Sequence, residues 1–67
     1  MQLSARNQFK GTVKTVKTGP IMAEVVMDVG GQELVAEITT ASVQRLGLKQ
    51  GDAVTAIIKA TEVMLGK

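Results

Sequence analysis

The sequence predicts an all-β domain, a small five-stranded barrel with one short helix between the third and fourth strands. Three observations predict it. Apolar and polar residues alternate with the two-residue period of strands over most of the chain. Glycine-bearing breaks at Gly19-Pro20, Gly30-Gly31 and Lys49-Gln50-Gly51-Asp52 cut that pattern into strand-length pieces. Only Thr40 to Leu48 departs from it, toward helical spacing. With 67 residues the chain is one domain, residues 1–67, near the lower limit at which a single core holds a fold unaided. There is no cysteine to supply disulfides or thiolate metal sites, which fits a reducing cytoplasm. With 45% hydrophobic residues there is material for an interface as well as a core, and an oligomer is expected.

Gln8 to Thr18 alternates loosely, with Phe9, Gly11, Val13 and Thr15 on one face and Lys10, Thr12, Lys14 and Val16 on the other. This predicts a half-exposed first strand, in which Gly11 suits either a bulge or a close backbone approach. Thr18-Gly19-Pro20 ends it in a turn. The period is clearest from Ile21 to Val29, where Ile21, Ala23, Val25, Met27 and Val29 share one face and Met22, Glu24, Val26 and Asp28 the other. Gly30-Gly31 tolerates the positive φ angles of a tight hairpin, so Gln32 to Thr39 returns as its second arm, with Leu34, Ala36 and Ile38 inward. Thr39 or Thr40 can cap a short helix carrying Val43 and Leu46, and Gly47 followed by Leu48 is a glycine stop with an apolar clamp. After the turn at Lys49 to Asp52, Ala53 to Lys59 and Ala60 to Met64 read as the fourth and fifth strands. Ala53-Val54-Thr55-Ala56-Ile57-Ile58 is apolar on both faces, so one face is expected to pack on another chain. This order is the layout of the OB-fold, with an SH3-like barrel as the structural competitor. The small residues Gly11, Ala23, Ala36 and Ala56 suit the interior of either.

The net charge of +2 is unevenly spread: Arg6, Lys10, Lys14 and Lys17 all precede the first acidic residue, Glu24. That points to an anionic partner or to a lysine-bearing edge strand that discourages aggregation. In Ser4-Ala5-Arg6-Asn7-Gln8-Phe9-Lys10-Gly11 a hydroxyl, a guanidinium, an amide and backbone N–H groups stand together with no carboxylate among them. Taken alone, the octet reads first as a solvated lead-in to a strand, because basic side chains are mostly exposed. Two further stretches add donors. Thr39 and Ser42 bring two hydroxyls to the start of the helix, where ordinary capping accounts for a threonine but not for Ser42. Lys59-Ala60 puts an ammonium beside a residue small enough to expose its backbone N–H. A pocket of donors alone suits an anion that carries no proton, since hydrogen phosphate presents an O–H that needs an acceptor.

Other chemistries fail on inventory. Without histidine or cysteine, nucleophilic thiol, imidazole acid/base and tetrahedral zinc chemistry have no residues to use, and no direct cation ligands are assigned. The glycine-rich stretches match neither phosphate-loop nor dinucleotide fingerprints, so no enzyme is expected. A small basic nucleic-acid-binding barrel is the alternative. It would have to work with Phe9 as its single aromatic platform. A third reading is an oligomerisation module with no ligand. No signal peptide or membrane-length apolar run occurs, so a soluble cytoplasmic chain with no membrane partner is expected.

Several blocks resemble one family: Ser4-Ala5-Arg6-Asn7-Gln8, Gly19-Pro20-Ile21 leading to Ala23-Glu24-Val25, Ile38-Thr39 with Ser42-Val43, Leu46-Gly47-Leu48 with Gly51-Asp52, and Ile58-Lys59-Ala60-Thr61 with Val63-Met64. The chain resembles the molbindins, small cytoplasmic molybdate-binding (Mop/TOBE) proteins also called molybdenum-pterin-binding proteins. That resemblance implies an OB-like barrel assembled as a hexamer, a trimer of dimers, which binds molybdate or tungstate at subunit interfaces for molybdenum storage or homeostasis. It assigns anion contacts to Ser4, Ala5, Arg6, Thr39, Ser42, Lys59 and Ala60, with the first three facing the others across an interface. It also implies a second oxyanion site near a symmetry axis, at Gly19, Ile21 and Met22. Relatives often carry a small polar residue in place of Met22, which leaves backbone donors such as the Ile21 N–H. Pterin, from the older family name, finds no aromatic here beyond Phe9.

Overall fold

The computed structural model describes all residues, Met1–Lys67. Four antiparallel strands form one curved sheet in the order β3-β2-β1-β4: β1 Asn7–Thr18, β2 Met22–Val29, β3 Gln32–Thr39 and β4 Ala53–Ile58. A single α-helix, α1 Thr40–Leu46, joins β3 to β4.

The β2–β3 hairpin forms as its pattern predicts. Val29 pairs with Gln32, and Gly30 and Gly31 turn the chain at φ 58° and 86°. Ala23, Val25 and Met27 are buried from this hairpin, whereas Ile21 lies outside the strand and is 73% exposed. Thr39 is the N-cap of α1: its Oγ1 accepts from the Ser42 N–H at 3.0 Å. Gly47 closes the helix in the left-handed conformation, and the Leu48 N–H reaches back to the Val43 carbonyl at 3.1 Å. This sets Val43 into the core beside Val13, Ala23 and Val25, with Leu48 packed against them.

The alternation of β1 slips at Lys14. Val13 pairs with Met27 but Thr15 with Val26, so one extra residue bulges out. Beyond the bulge Val16 rather than Thr15 packs against the core. Gly11 is the close-approach residue instead: an added Cβ would sit 2.4 Å from the Asp28 carbonyl oxygen. The long strand can therefore pair with β4 through Asn7–Thr12 and with β2 through Thr12–Thr18.

The expected fifth strand does not form, and the sheet is open rather than a closed barrel. Ala60–Glu62 instead make one 3₁₀ turn, with the Glu62 N–H donating to the Lys59 carbonyl at 2.9 Å. That turn carries Val63, Met64 and Leu65 off the sheet, and they are 46%, 92% and 95% exposed. β3 and β4 each keep a free edge, but the 3₁₀ turn at Ala60–Glu62 interrupts the extended backbone directly after β4, so no further strand follows. A cleft of about 710 Å³, lined from all four strands and by Leu46 and Leu48, has 15 hydrophobic residues among the 17 around it, so it is apolar. Leu34, Ala36 and Ile38 face it from β3, and Val54, Ala56 and Ile58 from β4.

Candidate functional site

The predicted donors fall into two groups. At one end of β1 the β1–β4 ladder closes on the pair Asn7–Ile58, so Arg6 and Lys59 flank its last rung. Ser4, Arg6, Lys59 and Ala60 are exposed there, while Ala5 is half-buried and its carbonyl accepts from Gln8 Nε2 at 2.8 Å. That bond ties the lead-in to the start of the strand. Lys59-Ala60 thus stands with Ser4-Ala5-Arg6 on the chain, and not with Thr39 and Ser42.

The second group lies past the other end of β1. Met22 pairs with Thr39, which brings the β1–β2 turn beside the start of α1. Thr39 Oγ1 donates to Ser42 Oγ at 2.8 Å, so the two hydroxyls form a unit, and Ser42 is engaged in the cap after all. Within a single chain the full length of β1, 12 residues, separates this unit from Arg6 and Lys59.

The turn predicted for the second site is pinned to the helix. Thr40 Oγ1 donates to the Gly19 carbonyl and the Thr40 N–H to the Ile21 carbonyl, both at 2.8 Å. The Gly19 N–H donates to the Met22 carbonyl at 2.8 Å, whereas the Ile21 N–H makes no backbone bond. Ile21 and Met22 present apolar side chains to solvent, 73% and 46% exposed, so the backbone supplies any donor at this turn.

Electrostatically the first group is uncompensated. The ion pairs in the chain are Lys14–Glu33 and Lys49–Asp52, which leaves Arg6, Lys10, Lys17, Arg45, Lys59 and Lys67 without a carboxylate. Arg45 was not among the sequence-predicted residues. Its Nη2 donates to Ser42 Oγ at 3.4 Å, and the signal that could have found it is its spacing, one helical turn after Ser42. No group of three or more His, Cys, Asp or Glu side chains is placed to hold a metal cation.

The TOBE domain model matches residues 3–65. The chain belongs to the TOBE domain family. Among relatives of this TOBE domain, molybdenum-pterin-binding protein 1 of Clostridium pasteurianum is 48% identical over 66 residues, 97% of each chain. A probable molybdenum-pterin-binding protein of Haemophilus influenzae is 43% identical over 67 residues, 98% of this chain and 97% of its own. The solved structure of a molybdate binding protein from Sporomusa ovata matches with a TM-score of 0.95 and 51% identity, with both chains covered in full. ModG, described as a cytoplasmic molybdate-binding protein, matches with a TM-score of 0.85 and 48% identity over 90% of this chain and 43% of its own. The molbindin resemblance and the OB-like topology both stand on these likenesses.

Proposed function

We propose that this protein binds molybdate, or tungstate, as a non-enzymatic oligomeric store in the cytoplasm, at sites shared between chains. The observation that carries it is that the β1–β4 register sets Arg6 and Lys59, neither paired with a carboxylate, on either side of one ladder end, with Ser4 two residues before Arg6 on the chain. Such a set offers an unprotonated oxyanion charge-assisted bonds, and its two positive charges repel a cation. The names borne by the similar proteins supply the ligand.

Ser4, Ala5, Arg6, Lys59 and Ala60 form one half of the site and Thr39 and Ser42 the other. Because the halves stand at opposite ends of β1, a neighbouring subunit brings them together. The exposed surface supports that association. The chain exposes 5437 Å², against about 4,100 Å² for a compact monomer of this mass. The unpaired edges of β3 and β4, the apolar cleft along the sheet and the exposed Val63, Met64 and Leu65 are surfaces that a second copy buries. A hexamer, as a trimer of dimers, satisfies them together. The turn at Gly19, Ile21 and Met22 serves as the second oxyanion site through its backbone. Equilibrium dialysis against molybdate, with sulfate in parallel, tests the reading. Saturable molybdate uptake is the expected result, and its absence overturns the function.

A further inference from the structure

We infer that Gln8 is a positioning residue for the oxyanion half-site that precedes β1: it turns the Ala5 carbonyl aside and so leaves the Arg6 N–H open to the anion. The inference rests on the molybdate reading above. A carbonyl oxygen repels an anion, so a lead-in that binds one has to turn its carbonyls away as well as present donors. Residues 1–6 belong to no helix or strand and make no backbone–backbone hydrogen bond. The bond that holds them is the one from Gln8 Nε2 to the Ala5 carbonyl at 2.8 Å. Because a carbonyl only accepts, the NH2 end of the Gln8 amide is the end that faces it. Gln8 is itself anchored, since it lies in β1 and pairs with Ile57 of β4.

A trans peptide sets its C=O and its N–H on opposite sides. Holding the Ala5 carbonyl toward Gln8 therefore points the Arg6 N–H, in the same peptide, away from that bond, and this N–H donates to nothing in the chain. The 3₁₀ turn does the same for the other strand of the ladder end. There the Glu62 N–H takes up the Lys59 carbonyl at 2.9 Å, so the Ala60 N–H faces the other way and also has no acceptor in the chain. Two carbonyls at one ladder end are thus occupied, and the N–H of each of their peptides is free. Backbone fixes the second of these peptides, whereas the first depends on one side chain. Without the Gln8 amide, the ordering of Ser4 to Arg6 falls on the binding step and weakens it.

The test compares the full native chain with Gln8→Met, a side chain of similar length with no N–H to give, by isothermal titration with molybdate at neutral pH and by backbone amide relaxation of the ligand-free proteins. Gln8→Met is expected to bind molybdate about fivefold more weakly, the scale of one modest hydrogen bond. In the ligand-free variant the Ala5 and Arg6 amides are expected to gain motion on the picosecond-to-nanosecond scale, while those of β1 from Phe9 onward do not. Gln8 is exposed, so the thermal midpoint of the ligand-free variant stays at the native value. Gln50→Met, an exposed glutamine in the turn before β4, is the control and is expected to bind as the native chain does. Native affinity in Gln8→Met overturns this inference while leaving molybdate binding intact. So does a weaker affinity accompanied by unchanged Ala5 and Arg6 motion or by a lowered midpoint, because the loss then arises elsewhere in the fold. If the native chain takes up no molybdate, the functional reading falls and this one with it.

Discussion

Gly11→Ala is the substitution whose outcome the structure fixes most sharply, because two effects compete and their signs are opposite. At a position without positive φ, replacing glycine by alanine ordinarily stabilises by about 0.4–1 kcal/mol, because the unfolded chain has fewer states to lose. Here the new Cβ would stand 2.4 Å from the Asp28 carbonyl oxygen, 2.9 Å from Met27 Cε and 3.0 Å from Val29 Cγ2. The methionine tip can rotate away, but the carbonyl belongs to β2 and cannot. β1 and β2 must part by about 0.8 Å at this rung, and overpacking of that kind costs about 1–3 kcal/mol. A backbone obstacle puts the cost at the upper end, so the net loss is about 2 kcal/mol. For a domain of this size that lowers the thermal midpoint by about 8–16 °C. The assay is a thermal melt followed by far-ultraviolet circular dichroism, at one fixed protein concentration because association shifts the midpoint. Gly66→Ala, where the added Cβ meets nothing within 4 Å, is the control. A Gly11→Ala midpoint equal to or above the native one would refute the close approach of β1 to β2.

Four further outcomes follow from the same geometry. Thr39→Ala removes the helix cap and the donor to Ser42 together, so it is expected to cost about 1 kcal/mol, visible as a midpoint about 4–8 °C lower, and Thr39→Ser retains most of it. Arg6→Ala and Lys59→Ala are each expected to weaken molybdate binding by about 1.5 kcal/mol, or tenfold, in isothermal titration without unfolding the chain; normal binding by both would mean that the pocket lies elsewhere. Glu33, by its hydrogen bond and then its charge, raises the Lys14 pKa above the usual 10.5, so the stabilisation this pair provides is complete below pH 10.5 and is lost as pH climbs through the folded-state value. The midpoint difference between the native chain and Lys14→Met should accordingly be small, reduced by salt, and shrink in strongly alkaline buffer; a gap that widens there contradicts the pairing. Replacing Met64 and Leu65 together by serine should shift the mass measured by light scattering toward smaller species, and an unchanged mass would show that these side chains take no part in assembly.

Local chemistry made much of this fold legible from the sequence. Gly30-Gly31 between two alternating runs has few alternatives to a tight hairpin, and Thr39, Val43 and Gly47 mark cap, core contact and stop for a helix one or two turns long. These features rest on neighbours in sequence, where spacing determines which side chains can meet. The charge asymmetry and the absence of histidine and cysteine likewise removed whole classes of chemistry before any coordinates were needed. The bulge at Lys14 was not legible, because it depends on how β1 divides its pairing between β2 and β4, a property of three strands at once. Nor was the fate of Ala60 to Met64, whose residues suit a strand but begin with a 3₁₀ turn that breaks the extended backbone.

The site divides along the same line. Residue types alone determined that this chain carries donors in excess of carboxylates at Ser4 to Arg6, at Thr39 and Ser42, and at Lys59-Ala60. Only the tertiary structure decided their grouping. The antiparallel register set Arg6 and Lys59 at one ladder end, a placement of residues far apart in sequence that no spacing rule encodes. The fold of α1 turned Arg45 back onto Ser42, whose hydroxyl also bonds that of Thr39. Composition settles which bonds are available, because it counts donors and acceptors. Packing settles which remain open to a ligand, because each bond made inside the chain is one withdrawn from it.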